Sequence, residues 1–239
     1  MTGQSSLRRV RSRSLTLSLA GPALLATLIQ IIAWAQTTGV HPLSGRRYAL
    51  TMGVGGADWL DRAEREDEED PTRALRALRI QQGSVVADIG AGSGYWTERL
   101  SRAVGRNGRV YANDIQQGML DILRRRLDRA RVTNVELVLG SQTDPRLPPD
   151  TLDLALMVDV YHEFSEPQAM LRRIRGALKP AGRMVLLEYR GEDASVPIRP
   201  EHKMTVAQAK LEVEAEGFTL ATVNEDLPWQ HILIFTRKN

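Results

Sequence analysis

From residue 71 onward, strand-like apolar runs alternate with amphipathic helical patterns, predicting an α/β fold: a doubly wound sheet of seven strands whose last strand runs antiparallel. Two local observations sharpen the expectation. The run Val85-Val86-Ala87-Asp88-Ile89 leads straight into glycines at 90, 92 and 94, the signature of a strand that turns tightly into a helix. At the other end, the apolar runs at 219–223 and 231–235 are joined by Asn-Glu-Asp-Leu-Pro, too short for a crossover helix, so they pair antiparallel.

Taken in order, the chain opens on a segment of different character. Arg8, Arg9, Arg11 and Arg13 precede an uncharged run at 14–38 with an apolar heart at 23–34, and no acid occurs before Asp58. This reads as an N-terminal apolar helix or leader spanning 1–35, either a signal peptide or an uncleaved membrane anchor. Ala33-Trp34-Ala35 has the small-x-small form of a cleavage site, and Pro22 shortens the uninterrupted run to a length that suits a leader. The expected location is therefore exported or membrane-anchored on the periplasmic side of a bacterium, with cytoplasmic function left open; a membrane contact follows only if the segment stays uncleaved.

Residues 36–70 read as a linker and cover segment. The stretch to Met52 is rich in glycine and basic residues without periodicity, and the acidic run at 64–70 reads as a solvated helix face or loop. Pro71 starts a helix with Asp70 as its cap. The main domain, 71–239, then carries strands at 84–89, 109–113, 134–139, 152–158, 183–188, 218–223 and 230–236. Helices fall near 94–104, 116–130 and 167–177, and Met119, Leu120, Leu123 and Leu127 lie at helical spacing.

Composition excludes several classes of function. The chain has 239 residues and no cysteine, which removes disulfides, thiolate metal clusters and thiol nucleophiles. Much of its basic excess lies in the leader. The compact run Arg124-Arg125-Arg126 is flanked by Asp121 and Asp128, so no nucleic-acid surface is expected.

The glycine loop carries the chemistry. A dinucleotide fingerprint, G-x-G-x-x-G, would need its third glycine at Tyr95. The second strand ends in Asp114, twenty residues after Gly94, about where a ribose-binding carboxylate belongs. A helix cap is its alternative role. After the third strand comes Gly140-Ser141-Gln142-Thr143-Asp144, at the strand edge where such sheets bind ligands. After the fourth comes Asp159-Val160-Tyr161-His162-Glu163, and the fifth ends Leu187-Glu188-Tyr189-Arg190, followed by His202-Lys203-Met204.

Asp88-x-Gly-x-Gly-x-Gly followed by Asp114 resembles motif I and the following acid of the class I S-adenosylmethionine (SAM)-dependent methyltransferases. The resemblance runs from about Asp70 to Lys238 and implies a Rossmann-like fold with SAM as cofactor. It assigns cofactor contacts to Asp88, Gly90, Gly92, Gly94, Asp114, Ile115 and Asp159. Relatives commonly hold the adenine amine with an acid directly after the glycine of the third-strand loop, where this chain has Ser141; Ser141, Gln142 and Asp144 all stay candidates, and Asp144-Pro145 also reads as a turn. More narrowly, the Asp-x-Tyr-His-Glu, Glu-Tyr-Arg and Leu-Pro-Trp-Gln-His segments are similar to predicted exported bacterial methyltransferases related to the quinone-methylating type.

That resemblance implies transfer of a methyl group to a small-molecule acceptor. Candidate catalytic residues are Tyr161, His162, Glu163, His202 and His231, three of whose histidines are expected to converge on one mouth. His162 reads as a general base or a packing histidine. The three histidines with Glu163 or Glu188 are also of a type that coordinates a metal, but they lie on separate loops without a ligand-spacing motif, so no metal is assigned and metal binding is left open. An exported SAM-binding module without catalysis and a nicotinamide-dependent oxidoreductase are the rival readings, and the oligomeric state is unknown.

Overall fold

The computed structural model describes residues 1–2 and 39–238. The leader or anchor expected at 1–35 lies outside the described residues beyond its first two, and among the described residues no helix is long and apolar enough to cross a membrane. One mixed sheet organises the rest, in the order β3-β2-β1-β4-β5-β8-β7. Its strands are β1 (Val85–Ile89), β2 (Arg109–Asp114), β3 (Val135–Leu139), β4 (Leu152–Val158), β5 (Leu178–Arg190), β6 (Lys203–Met204), β7 (Phe218–Asn224) and β8 (Gln230–Arg237). Seven strands form this path, the number expected, and β8 lies antiparallel to both β5 and β7. The two-residue β6, which the sequence does not announce, adds to the far end of β5 beside Tyr189 and Arg190.

Five longer helices accompany the sheet: α1 (Pro71–Leu78), α2 (Tyr95–Val104), α3 (Gln117–Ala130), α4 (Pro167–Ala177) and α5 (Val206–Glu214). Asp70 caps α1 as expected, accepting the N–H of Arg73 at 3.0 Å, with Pro71 at the first helical position. Helix α5 was not expected from periodicity. It is set instead by a reciprocal capping box, Thr205 with Gln208, and by the buried Ala209, Glu212 and Val213.

The central strands are buried on both faces, so consecutive residues serve different cores. Ala87, Ile89 and Met157 join Met170, Leu171 and Ile174 of α4 on one face. Val86, Leu154 and Leu156 join Leu78 of α1 and Trp96 and Leu100 of α2 on the other. Strand β5 starts five residues earlier than its apolar pattern suggests. Leu178 pairs with Leu152 across a register shift, which carries the turn-like Pro180-Ala-Gly182 into the strand.

Two expectations for the segment before α1 are corrected. The stretch 39–49 is not a surface linker: His41, Arg46 and Ala49 are buried, and Arg46 forms a two-pronged ion pair with Glu212 of α5 at 3.1 and 2.9 Å. Nor is the acidic run wholly solvated. Glu69 is buried, held by Arg65 at 2.7 Å and by the Tyr189 hydroxyl at 3.0 Å. An ion pair four residues apart within a helical turn lets both charges turn inward together, an outcome that charge counting along the sequence does not distinguish from a solvated face.

Candidate active site

The carboxyl ends of β1 and β2 meet at the glycine loop. Gly90, Gly92 and Gly94 all have positive φ, at 73°, 53° and 92°, so the loop follows a left-handed path that an L side chain resists. The N–H groups of Gly90 and Ala91 both donate to the Asn113 carbonyl at 2.9 Å, binding the loop to the end of β2. A Cβ at Gly92 would lie 2.8 Å from Leu60 Cδ1, because the cover segment packs directly onto the loop. Asp61 continues this cover, accepting from the Ser93 hydroxyl at 3.0 Å and pairing with Arg126 at 2.6 Å.

Asp114 stands at the seam. One oxygen accepts the N–H of Gly92 at 3.0 Å and the other that of Gln116 at 2.8 Å. Helix α3 begins at Gln117 with no side-chain cap from the described residues, so Asp114 is not the cap of that helix. Burial raises its pKa, opposed by the backbone donors. A carboxylate has about four acceptor positions, and two are used here, leaving room for a vicinal diol. At the start of α2 the N-cap is Gly94 and no described side chain caps the first turn, so its N–H groups remain for a ligand. These features fit SAM: a diol acceptor, a close backbone approach and open helix donors.

The other predicted cofactor residues divide. Asp88 is buried and accepts from Thr97 Oγ1 at 2.5 Å, pinning α2 to β1; burial lifts its pKa to about 6. Ile115 is exposed beside Asp114. In the third-strand loop, Ser141 accepts from the Asp144 N–H at 3.1 Å, while Gln142 is exposed. The Asp144 carboxylate accepts from the Arg146 N–H at 2.7 Å and pairs with Arg173 at 3.4 Å, so it builds the turn. Asp159 adopts φ 51° and accepts from Gln230 Nε2 at 2.7 Å; its other oxygen has no hydrogen-bond partner among the described residues. Burial, then the charges of Glu69 and Glu188, hold its pKa well above the ordinary value.

A second cluster forms where β4 and β5 end. His162 Nδ1 lies 2.6 Å from Glu188 Oε2, whose other oxygen accepts the Tyr161 N–H at 3.0 Å. On its far side, His162 Nε2 lies 3.1 Å from His202 Nδ1, and the rings meet edge to face. Burial depresses the His162 pKa but Glu188 more than offsets it, for a net rise; His202 is lowered by burial first and then by the nearby His162 when that ring is protonated. Glu163, beside them, is lifted by burial to about 7.

The expected convergence of three histidines is corrected to two. His231 faces Glu188 across the β5–β8 register but is wholly buried, and neither ring nitrogen has a hydrogen-bond partner among the described residues; its Nδ1 lies 3.7 Å from a Glu225 oxygen. Tyr161 is likewise a core residue, packed edge-on against Phe164 with Arg46 over its ring. Its strand-end position placed it in the candidate site, but the turn after β4 points its ring inward.

Sequence reasoning missed Glu188 as the partner of His162, although its place at the end of β5 was visible. It also missed Arg46, whose Nη1 donates to the His162 carbonyl at 2.9 Å alongside the Ala49 N–H at 3.0 Å. No local motif marks an arginine that acts across 116 residues.

Comparison with known proteins agrees with this geometry. A family model described as a methyltransferase domain matches residues 86–182. A demethylmenaquinone methyltransferase of a Geobacillus species is 26% identical over 114 residues, covering 48% of this chain and 49% of that protein. The ubiquinone/menaquinone biosynthesis C-methyltransferase UbiE of Escherichia fergusonii is 32% identical over 111 residues, covering 46% and 44%. The chain thus spans about half the length of the curated relatives it matches. A SAM-dependent methyltransferase from Aquifex aeolicus superposes with a TM-score of 0.73 at 25% identity, covering 77% of this chain and 98% of that one. With the glycine loop, the Asp114 seam and the antiparallel β8 all in place, the segment 86–182 matches a methyltransferase domain and the fold is similar to that of a SAM-dependent methyltransferase.

Proposed function

We propose that this protein transfers a methyl group from SAM to a small, quinone-like or ring-hydroxylated acceptor. The observation that carries the reading is the Asp114 seam: one carboxylate fixes the glycine loop and keeps acceptor positions for a ribose. When bound, SAM supplies a methyl group already activated on a sulfonium. The protein's own residues then have two tasks, to align the acceptor and to exclude water. Gly90, Gly92, Gly94, Asp114 and Ile115 address the cofactor, and the cover from Leu60 and Asp61 shields it. His162, Glu163 and His202 present polar groups toward an acceptor oxygen at the neighbouring strand ends. The names of the quinone-methylating relatives support the acceptor class. The arginine-rich, apolar N-terminus supports a domain that acts outside the cytoplasm.

The test is label transfer. Full-length protein incubated with methyl-labelled SAM and a panel of quinols and phenols is expected to label at least one acceptor and release S-adenosylhomocysteine (SAH). Tight SAH binding with no label in any acceptor would instead favour the binding-module reading.

A further inference from the structure

The mouth beside the cofactor loop carries a ligand set that methyl transfer from a sulfonium does not itself require. Glu188 accepts at Nδ1 of His162, which in the neutral ring places the proton there and leaves Nε2 as a lone pair facing His202. Nδ1 of His202 stands 3.1 Å from that lone pair. Two imidazole nitrogens bound to one tetrahedral zinc at about 2.0–2.1 Å stand about 3.3 Å apart, so the pair is already at ligand spacing. A Glu163 carboxylate oxygen completes the group, and the three ligand atoms all lie within 4.8 Å of one another.

The surroundings are those of a built site. His162 and Glu163 share the single helical turn after β4, whose carbonyl at His162 is held by Arg46 and by the Ala49 N–H. His202 ends the turn Pro200–His202, which runs directly into β6 and so is tied to β5. Strand β5 also supplies Glu188, and a carboxylate behind a metal-binding histidine fixes the ring and raises its basicity as a ligand. His162 is buried whereas Glu163 and His202 are only half-buried, so one side of the group stays open.

We propose that His162 Nε2, His202 Nδ1 and the Glu163 carboxylate bind a divalent transition-metal cation, zinc being the best match to two imidazoles and one carboxylate. Glu188 is a positioning residue that orients His162. The open fourth position takes water or an oxygen of the methyl acceptor; this last role rests on the methyl-transfer reading, whereas metal binding does not.

The test uses full-length protein stripped with a chelator, titrated with zinc chloride by calorimetry and with cobalt chloride by visible absorption. One equivalent of zinc is expected at micromolar affinity or tighter, with a tetrahedral cobalt spectrum. Glu163→Gln and His202→Ala are each expected to weaken binding at least tenfold and to erase that spectrum. Glu188→Gln, touching no metal, should weaken it about tenfold. Circular dichroism and urea midpoints identify any variant that has unfolded, and the conservative Glu163→Gln keeps the comparison open if the others do. Absence of zinc binding to the wild type overturns the proposal. So does one equivalent bound equally well by Glu163→Gln and His202→Ala, which marks adventitious surface binding. Zinc binding without SAH binding leaves the metal site standing and removes the methyl-transfer reading; the reverse result does the opposite.

Discussion

The Asp114 carboxylate accepts the Gly92 N–H at 3.0 Å, joining residues 22 positions apart into one binding edge. The first βα loop and the end of the second strand are thus a single unit, and a substitution in either disturbs the other.

Asp114→Asn replaces one acceptor oxygen with a donor that faces either Gly92 or Gln116. Affinity for SAH is expected to fall by about 1–3 kcal/mol from the lost charge-assisted bonds. Calorimetric titration checks this, and unchanged affinity would remove Asp114 from the cofactor site.

Gly92→Ala combines a positive φ of 53° with a methyl 2.8 Å from Leu60 Cδ1. The left-handed conformation alone costs about 1–2 kcal/mol, and the cover segment must also shift. Lower urea stability together with weakened SAH binding is expected. If Leu60→Ala placed beside it restores part of both losses, the clash with the cover is the cause.

Arg46 and Glu212 form a buried pair that holds the 39–49 segment onto α5 and, through the His162 carbonyl, onto the turn after β4. Arg46→Met leaves the Glu212 charge buried without its partner, so stability should fall by about 3–5 kcal/mol. Urea unfolding reads this directly, and a loss under about 1 kcal/mol would show that the segment contributes little.

Asp88 gives a pH signature. Its folded pKa, about 6, lies above the ordinary 3.8, so the folded state binds a proton more readily than the unfolded chain. The associated stability is fully present below pH 3.8 and is lost as pH rises through 6, about 3 kcal/mol in all. In Asp88→Asn this component vanishes while Oδ1 can still accept from Thr97. Urea unfolding at pH 4, 5, 6 and 7 should show a smaller decline with pH in the variant than in the wild type. Parallel profiles would contradict the assignment.

Much of this architecture was legible because it is local. The period of the central strands, the glycines at 90, 92 and 94 and the short link before β8 each fix geometry within a few residues. Helix α5 was not legible, since its capping box and three buried positions give little periodic signal. The site split along the same line. Asp114 sits at a fixed spacing from the glycines, whereas Glu188 with His162, and Arg46 with Glu212, meet only through the fold. His231 and Tyr161 lie at the right strand ends, yet their burial depends on packing partners that strand position does not reveal.

The amino-terminal segment makes a separable prediction. Fusing residues 1–60 to a reporter that folds only after export should give activity outside the cytoplasm, and sequencing the secreted product should start at Gln36 if cleavage follows Ala35. A reporter silent outside the cytoplasm would contradict export.

Calorimetric titration of the full-length protein with SAH and, separately, with NAD decides which cofactor the glycine loop binds. One SAH site of micromolar affinity or tighter, weakened in Asp114→Asn, is expected, with no NAD binding. NAD binding without SAH binding would contradict the SAM assignment.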